Sequence, residues 1–167
     1  MNEITFSNES IDQVTDLMRE QIRTAAGGKA LEFGSTGFSL AKTLRRDLEY
    51  LACSDKMETF PENLRSAADA HDIHLIPDQE LGEDCYFGRF HMVYTLFGFR
   101  GLPHLVDEIM RLRRLIIKGG KMVIVDWAEA QFDAECVKQL KRCGFQNITV
   151  NPFMLEGQSA FLISAEK

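Results

Sequence analysis

The chain has 167 residues, 45% hydrophobic and 26% charged, with a formal net charge of −6. That is the size of one ordinary domain, able to bury a core without disulfide or metal staples, and the balance excludes extended disorder, collagen-like repeats and coiled coil. No apolar run approaches the ~20 residues of a membrane span, the polar, acidic amino-terminal stretch is unlike a signal peptide, and the acidic excess argues against a nucleic-acid partner.

Taken in chain order, Ser10 and Gln13 form a capping-box pattern, and Ile11, Val14, Leu17, Met18 and Ile22 follow at helical spacing. The pair Gly27-Gly28 is expected to end that helix, giving a span of about 10–26. A short apolar run over 29–33 reads as the first strand and is cut off by Gly34-Ser35-Thr36-Gly37. A second helix through about Asp47 leads to a second strand over 49–53. Pro61 suits the first turn of a third helix, and 73–76 reads as a short third strand.

After a polar loop over 77–88, residues 90–96 form the fourth strand. Pro103 then opens a helix with Leu102, Leu105, Ile109, Leu112 and Ile116 on one face, ended by Gly119-Gly120. Met122-Val123-Ile124-Val125 is apolar on both faces, as in a fully buried strand. Asp133 is placed to cap the last helix and Gly144 to end it, and strands over 147–153 and 158–165 close the chain as a hairpin. Strand and helix alternate until those last two strands. The pattern therefore predicts an α/β fold with a doubly wound, mostly parallel seven-stranded sheet, right-handed crossovers and an antiparallel carboxyl-terminal hairpin. No linker or repeat divides the chain, so one domain is expected, with a ligand at the carboxyl ends of the strands beside the first.

Cys53, Cys85, Cys136 and Cys143 lack CxxC spacing, and His71, His74, His91 and His104 form no metal signature with them. Reduced thiols without an export signal imply the cytoplasm. The basic cluster Arg111, Arg113, Arg114, Lys118 and Lys121 is read as a solvated helix terminus, where cations favour the negative end of the dipole.

Several local motifs, in order, carry a family likeness. Leu31-Glu32-Phe33-Gly34-Ser35-Thr36-Gly37 resembles the first motif of class I S-adenosylmethionine-dependent methyltransferases, an acid followed by a glycine-rich turn. Phe90-His91-Met92-Val93 is similar to that family's fourth strand, the stretch 112–121 to its basic segment ending in Gly-Gly, and Val123-Ile124-Val125-Asp126-Trp127 to the strand that follows. Cys143-Gly144-Phe145 and the closing hairpin resemble the family's carboxyl-terminal part, so the likeness covers roughly residues 10–167. The pattern departs from the family in the glycine turn, which either lacks one residue or puts Thr36 and Phe38 at glycine positions, and at His91, which replaces the usual aspartate.

The resemblance implies S-adenosylmethionine as cofactor, with residues 29–127 holding it and 128–167 completing the domain. It assigns Glu32 to the cofactor's amino group, Gly34, Ser35 and Gly37 to its close backbone approach, Asp55 to the ribose hydroxyls and Met57 to the adenine face. Asp78 matches the acid that reads the adenine amino group, and Tyr94 borders the reactive end. Methyl transfer runs largely on proximity because the sulfonium is already activated, so no catalytic triad is required. His91, His104 and Glu129 are candidate bases, and none is named as catalytic.

The leading expectation is methyl transfer to a small-molecule acceptor, without nucleic acid, membrane or metal. A second reading is a methyltransferase-like partner subunit without activity, motivated by the altered glycine motif. In that reading Phe97, Phe99 and Leu102, within 97–102, face a partner protein or a second copy. A third is a nicotinamide-dependent oxidoreductase, which shares the glycine turn and the acid after the second strand.

Overall fold

The computed structural model describes residues 6–34, 39–56 and 59–167. Helix α1 (Asn8–Arg23) is capped by Ser7, whose hydroxyl accepts from the Ser10 N–H at 3.2 Å. The capping box expected at Ser10 and Gln13 does not form. Instead the Ser10 hydroxyl donates to Glu156 at 2.7 Å and the Gln13 amide donates to the Met154 carbonyl at 3.0 Å, so both tie the helix to the closing hairpin. The helix also ends before its two glycines, with Thr24 as its C-cap.

The strands are β1 (Lys29–Phe33), β2 (Tyr50–Ser54), β3 (His74–Leu75), β4 (Phe90–Leu96), β5 (Ile116–Trp127), β6 (Gln146–Leu155) and β7 (Gln158–Glu166). They form one seven-stranded sheet in the order β3-β2-β1-β4-β5-β7-β6, parallel through β5 and antiparallel at β7 and β6. This is the doubly wound sheet with closing hairpin that the alternation predicts. The turn from β6 to β7 has two residues, Glu156 at φ 50° and Gly157 at φ 74°, the backbone that matches the twist of a tight hairpin.

Helices α2 (Ser39–Leu44) and α3 (Glu62–Ala70) lie with α1 against one face, where Val14, Met18, Leu44 and Ala68 pack on Ala30, Leu51, Cys53 and Tyr94. Helices α4 (Leu105–Leu115) and α5 (Phe132–Arg142) cover the other face, where Ile109, Leu112, Cys136 and Leu140 meet Leu31, Phe33, Val93 and Ile124. Both faces of the central strands are buried, which is why β5 reads as a continuous apolar run.

Three boundaries differ from the sequence expectation. Helix α4 ends at Leu115, and Ile116 already pairs with Phe90 of β4. The register then breaks before Lys121, and Gly119 and Gly120 exchange hydrogen bonds with Lys167, so these glycines shape a bulged strand and cap no helix. An apolar pair such as Leu115-Ile116 fits the end of a helical stripe and the start of a buried strand equally well. Strand β3 keeps only two paired residues, and α5 is entered through Gln131 in the left-handed region, with Asp133 inside its first turn.

Candidate functional site

The chain reverses its winding between β1 and β4, and the loops that leave their carboxyl ends meet there. Gly34 takes φ 72° and donates its N–H to the Ser54 carbonyl at 2.8 Å. A Cβ on Gly98 would stand 2.7 Å from Thr95 Oγ1 and 3.0 Å from the Gly34 carbonyl oxygen, so the two loops touch only because Gly98 has no side chain. The buried hydroxyls of Ser54, at the end of β2, and Thr95, near the end of β4, have no hydrogen-bond partner among the described residues. Ser35, Gly37 and Met57, like Thr36 and Phe38, lie outside the described residues.

Glu32 is buried and lies in register with Cys53 of β2 and Tyr94 of β4, all three on the face covered by α1, α2 and α3. The Tyr94 hydroxyl donates to Glu32 Oε2 at 2.8 Å. Burial and the Glu32 charge push the Tyr94 phenol and the Cys53 thiol well above their ordinary ranges, so both stay protonated. Tyr94 has no solvent-exposed surface and supports Glu32 from within the core.

Asp55 follows β2 and accepts the Lys56 N–H at 2.7 Å. Among the described residues no cation lies within ion-pair distance of it. Desolvation first, then the nearby Asp78 charge, raises its carboxyl above the usual aspartate range. Asp78 begins the turn after β3 and pairs with Arg111 at 2.6 Å. The three acids that the family likeness assigned therefore stand at the carboxyl ends of three neighbouring strands.

Across the reversal the surroundings turn aromatic. Phe97, at φ 56°, packs between Phe6 and Trp127 with ring centroids 5.0 and 4.8 Å away. Phe97 is 7% and Phe99 1% exposed, which corrects the expectation that they present an open apolar surface to a partner. They fill the core instead, because the loop after β4 folds back over the sheet. The buried Asp126 of β5 holds that loop, accepting the N–H groups of Phe99 at 3.2 Å and Arg100 at 3.1 Å, while its other oxygen takes Trp127 N–H at 2.9 Å. Burial raises the Asp126 carboxyl against the pull of those donors.

The candidate bases separate. His91 sits at the amino end of β4, where its ring backs Gly27 and Nδ1 accepts the Lys29 N–H, at the opposite end of the sheet from the loops. His104 precedes α4, and Glu129 pairs with Arg100. The basic cluster read as a solvated helix end divides: Arg114 is exposed over Phe87, Arg111 and Arg113 are half-buried over Phe33 and Phe145, and Lys118 and Lys121 lie in β5, the first exposed and the second buried. No group of three metal-ligating side chains occurs among the described residues, and no described helix is long and apolar enough to cross a membrane.

No protein-family profile matches the chain, and no curated protein matches it in sequence. Solved structures do match its fold. A SAM-dependent methyltransferase from Aquifex aeolicus is similar over 96% of this chain and 98% of its own, with TM-score 0.73 and 12% identity. The 1,6-didemethyltoxoflavin-N1-methyltransferase of Burkholderia thailandensis, solved with S-adenosylhomocysteine and 1,6-didemethyltoxoflavin, matches over 99% of this chain and 79% of its own, with TM-score 0.73 and 12% identity. The cyclase SpnF covers 100% of this chain and 84% of its own, with TM-score 0.79 and 12% identity. The fold is thus the Rossmann-like fold of class I S-adenosylmethionine-dependent methyltransferases.

Proposed function

We propose that the protein binds S-adenosylmethionine and transfers its methyl group to a small-molecule acceptor. The observation that carries this is Asp55: a half-buried carboxylate at the end of β2, without a cation partner among the described residues, and flanked by acids at the ends of β1 and β3. Such a group gains most from neutral donors that reach both of its oxygens, as the two hydroxyls of a ribose do. The bent passage at Gly34 and the hydroxyls of Ser54 and Thr95, unpartnered among the described residues, fit a polar ligand held close to backbone.

When bound, the cofactor supplies a methyl group already activated by its sulfonium. The chain's contribution is placement. In this reading Glu32, braced by Tyr94, attracts the cationic amino acid end. Ser35 and Gly37 join Gly34 along the same end, Asp55 holds the ribose, and Met57 and Asp78 take the adenine. The aromatic packing around Phe97 excludes water beside the transfer, where dry surroundings strengthen every electrostatic contact. The acceptor reads as a small molecule because the net charge of −6 opposes a polyanion.

SpnF shows that the same fold carries a chemistry other than methyl transfer, so binding and turnover are tested separately. Calorimetry with S-adenosylhomocysteine should give saturable binding that Asp55→Asn weakens without loss of fold. Absence of heat with the wild-type protein at millimolar ligand would refute the cofactor assignment. Binding without methyl transfer to any member of a small-acceptor panel would leave a binding protein.

A further inference from the structure

Asp78, the acid after β3, is gripped by Arg111, which lies on α4. Its guanidinium donates to Asp78 Oδ1 at 2.6 Å, to the Asp78 backbone carbonyl at 3.3 Å and, through Nε, to Glu108 Oε1 at 2.8 Å. It also lies 5.3 Å from the centroid of the Phe33 ring, which separates Glu32 from Gly34 in the chain. Glu108 is 8% exposed and uses its other oxygen for Lys56 at 3.0 Å, the residue after Asp55. Arg111 thus ties the carboxyl ends of β1 and β3 to α4, and Glu108 of the same helix adds the segment after β2.

An isolated exposed ion pair would matter little here. This one differs in three respects. It is partly buried, it grips the side chain and backbone of Asp78 together, and its other arm rests on a buried carboxylate. With Oδ1 taken by Arg111, Asp78 has Oδ2 left as an acceptor among the described residues, and the double grip fixes the direction in which that oxygen faces.

We propose that Arg111 is a positioning residue that aims Asp78 Oδ2 at the exocyclic amino group of the cofactor's adenine, and so sets selectivity for that base. The inference rests on the cofactor reading above. It requires Arg specifically: lysine, a single point charge, cannot hold Asp78 and Glu108 in one plane while covering Phe33.

The experiment compares S-adenosylhomocysteine with S-inosylhomocysteine, in which the adenine amino group is replaced by an oxygen, on wild type, Arg111→Lys, Arg111→Met and Asp78→Asn, with thermal melting recorded for each. The wild type should prefer the adenine ligand by about tenfold, the difference expected for one hydrogen bond to a charged group. Arg111→Met and Asp78→Asn should each erase most of that preference by weakening the adenine ligand. Arg111→Lys, the milder variant, should retain the fold and lose part of the preference. The double variant Asp78→Asn/Arg111→Met should lose no more than either single one. Equal weakening of both ligands by Arg111→Lys or Arg111→Met would show a merely structural role and overturn the proposal. So would an unchanged preference. Failure of the wild type to bind either ligand would instead remove the cofactor reading on which the proposal stands.

Discussion

On one side of the winding reversal, Glu32, Asp55 and Asp78 stand at or just past the carboxyl ends of β1, β2 and β3, with Lys56, Glu108 and Arg111 beside Asp55 and Asp78. On the other, Phe97 follows β4 and Trp127 ends β5, with Phe6 leaning in from ahead of α1. The buried carboxylate on that second side, Asp126, spends its oxygens on three backbone N–H groups. The charged side keeps carboxylate acceptor capacity for a ligand, whereas on the aromatic side Asp126 is consumed in holding its own loop. Ligand affinity should therefore depend on the first region and stability on the second, and substitutions in each should move one quantity and spare the other.

The largest expected effect is on stability. Phe97→Ala should destabilise the protein by about 3–5 kcal/mol, as for other buried phenylalanines. Alanine keeps the strained φ of 56°, so the loss reports packing against Phe6 and Trp127 and leaves the backbone term unchanged. Urea unfolding measures it. If S-adenosylhomocysteine affinity of the folded variant drops as steeply as stability, the division between the two regions fails.

Asp55→Asn is the converse test. It should weaken S-adenosylhomocysteine by about ten- to a hundredfold, the range for hydrogen bonds to a charged acceptor, with the melting temperature held or raised. Stability should not suffer because burial already penalises the ionised form of Asp55. A large fall in melting temperature, with binding retained, would assign Asp55 to the architecture.

Gly98→Ala comes next, and it touches both regions at their junction. The added Cβ must displace Thr95 Oγ1 or the Gly34 carbonyl, and overpacking of this kind typically costs about 1–3 kcal/mol. Combining it with Thr95→Ala removes the nearer obstacle and should recover part of the loss. No recovery would mean that the Gly34 carbonyl, the more distant contact, sets the limit.

How much of this was legible beforehand follows from the range of the forces involved. The alternation of short apolar runs and amphipathic stretches specified the sheet, because period and burial are written in neighbouring residues. Gly34 and Asp55 were also visible, since a glycine turn and an acid just after a strand carry their meaning locally. The Arg111 network was not: its contacts with Asp78 span 33 residues, and a basic helix end looks the same whether it meets water or a carboxylate. Asp126 gave a partial signal, as a lone acid closing an apolar strand needs donors to offset its burial. Phe97 and Phe99 misled because a loop flanked by glycines reads as surface until the fold turns it inward.

The smallest effect is a pH dependence, and its sign separates fold from ligand at the same residue. The folded chain raises the Asp55 carboxyl above its ordinary range, so the folded state takes up this proton at higher pH than the unfolded chain does. Asp55 thus contributes more to stability when protonated, and that contribution is lost as pH rises from the unfolded value through the folded one. Binding runs the other way, because a ribose-holding carboxylate must be ionised to accept from both hydroxyls. Acidification from neutral pH toward the carboxylate range should therefore weaken S-adenosylhomocysteine while raising Asp55's own share of stability. Other carboxyls titrate in the same window, Asp126 among them, so the comparison is the difference between wild type and Asp55→Asn at each pH. Calorimetric affinity and urea midpoints should diverge in that difference. Parallel curves would show that Asp55 serves the fold and the ligand through the same charge state, and the contrast between the two regions would not extend to this residue.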